Sequence, residues 1–254
     1  MNRTSSEIFD EWVLYNKILE KDLMFHSEIF TKIQKIIDSK FNGKDYKLLD
    51  IGCGDAYCIK KFLTNTRLNN YCGIDKSKTA LAWAEKNLSK NNIDILLLNS
   101  DFSESFDKIN GSFDVILAGY SIHHLKSLEE KKIILHKFIE KLQNDGIFIL
   151  FDIVQKNDES LEQYHARYIK NCSDNWELMG QKELEQVASH IRKNDYPLSL
   201  ESWKDIFQSA PDHLEPIIVD NKNPYYVLLC FQKKCLIQTF EHLITLMGDK
   251  RTNK

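Results

Sequence analysis

The residues best suited to chemistry in this chain are acids and histidines placed at the ends of short apolar runs. Asp50 lies in the run Leu48-Leu49-Asp50-Ile51, and the turn behind it reads Gly52-Cys53-Gly54-Asp55. Two glycines this close together permit a tight turn and let a ligand approach the backbone. A strand, such a turn and a helix over residues 56–63 would aim backbone N–H groups at a helix N-terminus, which suits a negative group. Asp50 and Asp55 make the same turn acidic, so a ligand carrying both a carboxylate and an ammonium fits it better than a pyrophosphate does. G-x-G-x-x-G is not completed, because Tyr57 stands at the third glycine position, and close helix–sheet packing is one job of that glycine. Asp75, Asp101 and Gly119-Tyr120 follow further apolar runs, and His123-His124 come after the last of these. Histidine is the natural base near neutral pH. His123 is the first choice for proton transfer, while His124 reads as holding the turn through a backbone bond. His26, just after Met24-Phe25, is the second choice, and His190, close to Asp195, the third. His136, His165, His213 and His242 have no such context and read as structural or exposed.

These residues need a frame to bring them together, and the apolar pattern supplies one. Ile8, Trp12, Tyr15, Leu19, Leu23, Ile29, Ile33 and Ile37 recur at helical spacing over residues 7–38, with a break near Met24. Strands are predicted at 48–51, 70–75, 93–98, 113–118 and 147–154, with helices at 77–89 and 128–142 and a turn at Asn144-Asp145-Gly146. Strands alternating with helices indicate a parallel sheet with helices on both faces. Right-handed crossovers put the strand C-terminal ends, and with them Asp50, Asp75, Asp101 and Gly119, on one edge, which is where open α/β sheets bind ligands. Past Val154 the pattern turns helical, at 159–171 and 181–193, until Tyr196-Pro197 interrupts it. This reads as an insertion packed over the ligand edge. A helix at 201–209, a loop bracketed by Pro211 and Pro216, and strands at 217–219 and 225–231 follow. Residues 236–247 form a last amphipathic helix, and the polar tail from 248 is expected to fray. The expected division is an N-terminal helical cap at 1–45, a core at 46–154, a helical lid at 155–199, the last helix and strand pair of the core at 200–234, and a C-terminal helix and tail at 235–254.

With 254 residues, 43% of them hydrophobic, the chain can bury one sizeable core. A net charge of −3 with both signs mixed argues against nucleic-acid binding by bulk electrostatics. Lys32–Lys47 and Lys233-Lys234 are locally positive and read as solvated faces. No apolar run is long enough to span a bilayer, and the start, MNRTSSEIFDEW, lacks the apolar stretch of a signal peptide. Cysteines at 53, 58, 72, 172, 230 and 235 form no C-x-x-C pair, so a reduced cytoplasmic protein with no metal site is expected.

The ordered segments LLDIGCGDA, YCGIDKS, LLLNSDF, FDVILAGYSIHHL and LQNDGIFILFDI resemble the class I S-adenosylmethionine-dependent methyltransferases over about residues 46–154. The resemblance implies a Rossmann-like seven-stranded sheet whose last strand, at 225–231, runs antiparallel. It implies that Asp50, Gly52 and Gly54 cradle the methionine part of S-adenosylmethionine. Asp75, with Lys76 beside it, would take the ribose hydroxyls, because a carboxylate matches two adjacent donors. Asp101 would take the adenine amino group with Phe102 against the ring, and Gly119 and Tyr120 would border the sulfonium and the substrate. Tyr15 could reach the cofactor carboxylate. YNKILEKDLMFHSEIF and SHIRKNDYPLSLESW resemble small-molecule methyltransferases within the class. No D/N-P-P-Y/F/W motif follows the fourth strand, where GYSIHH stands, which counts against an amino-directed DNA methyltransferase. The expected activity is methyl transfer to a small metabolite at O, N or C, with a homodimer formed through the C-terminal helix as one option. The alternatives are action on a protein or a tRNA, or a cofactor-binding regulatory subunit without catalysis.

Overall fold

The computed structural model describes residues 5–63, 65–89 and 93–234, with side chains from residue 13 onward. At the centre of its sheet, β1 (Tyr46–Ile51) pairs in parallel with β2 (Leu68–Asp75) on one side and β4 (Phe113–Gly119) on the other. Outside these lie β3 (Asp94–Asn99) and β5 (Leu142–Gln155), also parallel. β8 (Tyr226–Lys233) runs antiparallel between β5 and the edge strand β7 (Leu214–Asp220), giving the order β3-β2-β1-β4-β5-β8-β7. This is the seven-stranded sheet with one antiparallel strand that the sequence implied.

The middle strands are apolar on both sides because helices cover both faces. On one face, Ile29, Phe30, Ile33 and Ile37 of α2 (His26–Phe41) and Ala84 and Leu88 of α3 (Lys78–Leu88) pack on Leu48, Val115 and Ile149. On the other, Ile134, Leu135 and Phe138 of α5 (Leu128–Glu140) and Trp203, Ile206 and Phe207 of α8 (Leu200–Gln208) pack on Leu49, Ile116 and Phe148. A third apolar cluster lies at the end of β5. Ile153 meets Ile18 of α1 (Ser5–Glu20), Tyr164, Tyr168 and Cys172 of α6 (Leu161–Asn175), and Val187 and Ile191 of α7 (Gln181–Asn194). Lys17 of α1 pairs with Glu183 of α7 at 2.7 Å, so the first helix and the insertion form one layer beside the strand ends.

Some local expectations need correction. The predicted helix at 56–63 is shorter and wider: Ala56 has φ 53, so it lies outside a right-handed helix, and Ile59–Leu63 is wound as a π-helix. Residues 144–146 do not end a helix-to-strand turn; β5 starts at Leu142 and absorbs them as an irregularity, with Asp145 at φ 63 and a register shift opposite Phe113 and Val115. Pro216 lies inside β7 rather than in a loop. An edge strand tolerates the missing donor, and the register shifts between Pro216 and Ile218. Two-residue β6 (Leu198–Ser199) pairs with the end of β5 and is too short to leave a pattern. Lys233 is buried and pairs with Asp212 at 2.7 Å, so it is no solvated face. The break near Met24 is real: Asp22 and Phe25 have positive φ, and the Asp22 carboxylate accepts from the Ser27 N–H at 2.9 Å. Five described cysteines are free thiols. Among the described residues no helix is long and apolar enough to cross a membrane. The C-terminal helix predicted at 236–247, with its dimer contact, lies outside the described residues.

Arg167 fastens α6 to the core. Its Nε and Nη2 donate to the two Glu159 carboxylate oxygens at 2.6 and 2.8 Å, Nη2 also to the Val154 carbonyl at 3.3 Å, and Nη1 to that of Pro224 at 3.0 Å. Arg167→Ala is expected to cost about 1.5–3 kcal/mol, the worth of hydrogen bonds to a charged group. The check is a lower denaturation midpoint together with faster amide exchange in α6 than in β1 or β4.

Candidate active site

The glycine turn is stitched to its neighbours by its own backbone. The N–H groups of Gly52 and Cys53 both donate to the Ile74 carbonyl at 2.9 Å. Gly52 has φ +74, and a Cβ built on it would lie 2.4 Å from the Ser121 Cβ; Ser121 Oγ donates to the Ile51 carbonyl at 2.8 Å. The Gly54 N–H donates to Asp75 Oδ2 at 2.9 Å, and the Ser77 N–H to Asp75 Oδ1 at 2.8 Å. Asp75 therefore ties the first turn to the start of α3, and each of its oxygens keeps a further lone pair for a ligand hydroxyl. The Tyr15 hydroxyl lies 3.7 Å from the position a Gly54 Cβ would take, which brings α1 over this turn. Asp50 is buried and accepts from the Tyr71 hydroxyl at 2.9 Å. Burial pushes its pKa up to about 7, against the Tyr71 hydrogen bond and with a contribution from Asp75. Burial also raises Asp75 and Asp55 above the ordinary carboxylate value.

The remaining cofactor candidates sit around this turn. Phe102 comes within 3.5 Å of the would-be Gly52 Cβ. Asp101 is exposed and caps the one-turn helix α4 (Phe102–Ser105), accepting from the Ser103 N–H at 3.2 Å. The Lys76 side chain is exposed, while its carbonyl accepts from Asn99 Nδ2 at 3.0 Å. A Cβ on Gly119 would meet the Phe151 ring at 2.2 Å, so only glycine fits there. Tyr120 has φ 46, donates its hydroxyl to the Met24 carbonyl at 2.7 Å, and packs edge-on against Phe151 and His26. A buried carboxylate held near 7, two more acids and a turn open to ligand fit an S-adenosylmethionine cofactor, whose positive groups would offset the burial of Asp50.

His123 is buried beyond the end of β4, in a one-turn 3₁₀ helix. Its Nδ1 lies 2.5 Å from Asp152 Oδ1, and its backbone N–H donates to Asp152 Oδ2 at 3.0 Å. Burial lowers its pKa, but the charges of Asp152 and Asp195 outweigh this, so the net shift is upward. His124 holds the turn as expected, with Nδ1 3.1 Å from the Asn194 carbonyl oxygen; burial and His123 push its pKa down to about 2. His26 is buried against Tyr120, with Nδ1 lacking a hydrogen-bond partner, and burial lowers its pKa to about 4. His190 is half-exposed on α7, its Nε2 3.7 Å from Asp195 Oδ1. The structure thus joins His123 and His190 through Asp195 and sets His26 beside Tyr120. Asp152 and Asp195 went unassigned in the sequence. The signal for Asp152 was present: one acid inside the apolar strand FILFDIV.

A family model described as a methyltransferase domain matches residues 42–213. The chain belongs to this methyltransferase family. It is 23% identical over 167 residues to the ribosomal protein L11 methyltransferase of Thermotoga petrophila, covering 64% of this chain and 56% of that one. It is 29% identical over 160 residues to the release factor glutamine methyltransferase of Flavobacterium psychrophilum, covering 59% and 53%. The methyltransferase chain spans about half the length of these curated relatives. Among solved structures, plantazolicin methyltransferase BpumL, in complex with a triazolic desmethylPZN analog and SAH, superposes with a TM-score of 0.63 at 15% identity, covering 89% of this chain and 92% of that one. Magnesium protoporphyrin IX methyltransferase of Synechocystis PCC 6803, with bound SAH, superposes with a TM-score of 0.61 at 12% identity, covering 89% and 95%. Family and fold agree: the chain carries a methyltransferase domain, on the fold that these SAH-bound neighbours share.

Gly52→Ala in this methyltransferase adds a clash with Ser121 to the strain of a positive φ, itself worth about 1–3 kcal/mol. Gly43→Ala is the control, with φ +78 and nothing within 4 Å. Chemical denaturation is expected to show the Gly52 variant as the less stable of the two.

Proposed function

We propose that this methyltransferase transfers the methyl group of S-adenosylmethionine to oxygen, nitrogen or carbon of a small metabolite, with His123 as general base. The observation that carries the reading is the buried Asp152–His123 pair beside the strand ends. The cofactor supplies a methyl group on a positive sulfur, and the chain must orient the nucleophile, keep water out and accept its proton. Asp152 holds the Nδ1–H, which fixes the tautomer and leaves the Nε2 lone pair to take that proton; the resulting imidazolium then faces a carboxylate. Asp50, Gly52, Gly54 and Asp75 would hold the methionine and ribose parts, with Tyr15 and Lys76 beside them. Asp101 and Phe102 would hold the adenine, and Gly119 and Tyr120 would border the reacting centre. Support for a small substrate is the apolar layer of α1, α6 and α7 at the strand ends, joined by Lys17–Glu183; such a layer excludes water and bulk. A protein substrate is the second reading, favoured by the names of the L11 and release-factor relatives.

A thermal-shift screen of metabolites with S-adenosylhomocysteine present would supply a substrate. On it, His123→Ala is expected to lower kcat about 10²–10⁴-fold, and Asp152→Asn to lower it as well, with cofactor affinity nearly unchanged by calorimetry. An unchanged kcat in both variants removes the base assignment. Should peptides bind and metabolites not, the second reading replaces the first.

Asp50 gives a pH signature in cofactor binding. Its pKa of about 7 in the free protein leaves it mostly protonated at about pH 6. An ammonium group beside it favours the carboxylate and lowers that pKa, so binding expels a proton. Affinity for S-adenosylhomocysteine should therefore fall as pH drops below about 7, approaching tenfold per unit. Calorimetry showing a flat affinity between about pH 5.5 and 7 would refute the Asp50 assignment.

A further inference from the structure

Asp195 poses a problem that proton transfer does not solve. Its Oδ1 is buried and has no hydrogen-bond partner, in a residue 5% exposed. Three imidazole nitrogens surround that one oxygen: His123 Nε2 at 3.7 Å, His124 Nδ1 at 4.0 Å and His190 Nε2 at 3.7 Å. These separations are too long for hydrogen bonds. They lie slightly above the roughly 3.3 Å between neighbouring ligand atoms of a tetrahedral zinc ion with bonds of about 2.0–2.1 Å. We propose that His123, His124 and Asp195 form a binding site for a single divalent ion of the zinc class.

Ligand atoms from His123, His124 and Asp195 all lie within 4.8 Å of one another. Imidazoles with one carboxylate select zinc, cobalt or nickel over magnesium or calcium, which prefer oxygen. The outer contacts fit as well. Asp152 on His123 Nδ1 is the carboxylate–histidine arrangement that orients a metal-binding imidazole. His165 Nε2 bonds the Asp195 carbonyl oxygen at 2.9 Å, and the Tyr196 N–H donates to the His123 carbonyl at 2.9 Å. The first ties the Asp195 segment to α6, and the second ties it to the turn that carries His123. One rearrangement is required: His124 must release the Asn194 carbonyl or turn its other nitrogen inward. The consequence rests on the proposed base, although the binding does not. An ion on His123 Nε2 occupies the lone pair that would accept the substrate's proton, so metal loading and proton transfer exclude each other.

The test uses the full chain, stripped with a chelator, desalted and titrated with cobalt chloride without substrate or cofactor. Saturable visible bands of four-coordinate cobalt are expected, at one ion per chain, and bleached by zinc chloride. Asp195→Asn and His124→Ala should each weaken binding at least about tenfold, and Asp152→Asn about 10–100-fold. His213→Ala should bind as the unmodified chain does. Folding of each variant is checked by circular dichroism, and the partly exposed His124 decides if the Asp195 variant fails to fold. Absence of the bands, or an unchanged titration in the folded variants, overturns the site. Because no substrate is present, failure here leaves the proton-transfer reading standing, and loss of kcat in His123→Ala leaves this result unaffected.

Discussion

A carboxylate with no access to water must be paired, and Asp152 is such a group. It is fully buried in β5 and accepts from the His123 N–H at 3.0 Å and the Ile153 N–H at 2.8 Å, with His123 Nδ1 at 2.5 Å. Leaving any of these donors out would expose a buried charge to a low-dielectric interior, at a cost of several kcal/mol. The pairing fixes the connection after β4, because both the backbone and the ring of His123 are held. Through the His123 carbonyl it also fixes Tyr196, at the end of the insertion. Nearby Lys131 is buried as well, with its Nζ on the Leu125 carbonyl. Burial lowers its pKa to about 8 against the pull of Asp152. One acid thus organises the floor of the site and the end of its cover.

The glycine turn is built on the opposite principle. Asp50, Asp55 and Asp75 are crowded together at partial or full burial, and burial raises all three pKa values. The backbone N–H groups of Gly54, Tyr57 and Ser77 and the Tyr71 hydroxyl relieve part of that cost. A positively charged ligand would relieve the rest. A site that is electrostatically unfavourable alone and favourable when occupied binds by complementarity of charge rather than by apolar area.

Much of this was legible in the sequence because it depends on local chemistry. Glycine at 52 and 54, the acids after β1, β2 and β3, and the alternation of strand and helix are read from neighbours in the chain. The helix break at Met24 was visible for the same reason. What was missed depends on contacts far apart in sequence. Asp152 and Asp195 become functional candidates only when β5 and the end of α7 meet His123, across 29 and 72 residues. Pro216 looked like a loop marker because a strand's place at the sheet edge is a property of the whole sheet. The helix at 56–63 looked regular because nothing in its apolar spacing reports the left-handed Ala56 that delays it.

The three candidate histidines show why burial alone does not assign a base. His26 and His123 are both buried, and burial favours the neutral ring in each. At His26 little opposes this, and a pKa of about 4 makes it a poor acceptor for a substrate proton near neutral pH. Its unpartnered Nδ1 is better suited to a hydrogen bond with a bound donor. At His123 the flanking carboxylates reverse the shift, so the ring can hold the proton it takes. His190 is half-exposed on α7, with Asp195 Oδ1 3.7 Å from its Nε2 and a side-chain amide at its Nδ1. That nitrogen meets Asn194 Nδ2 at 3.3 Å, a contact that does not stabilise an imidazolium. Among these three, His123 alone combines burial, a fixed tautomer and a counter-charge, which are the conditions a general base beside a desolvated nucleophile must meet.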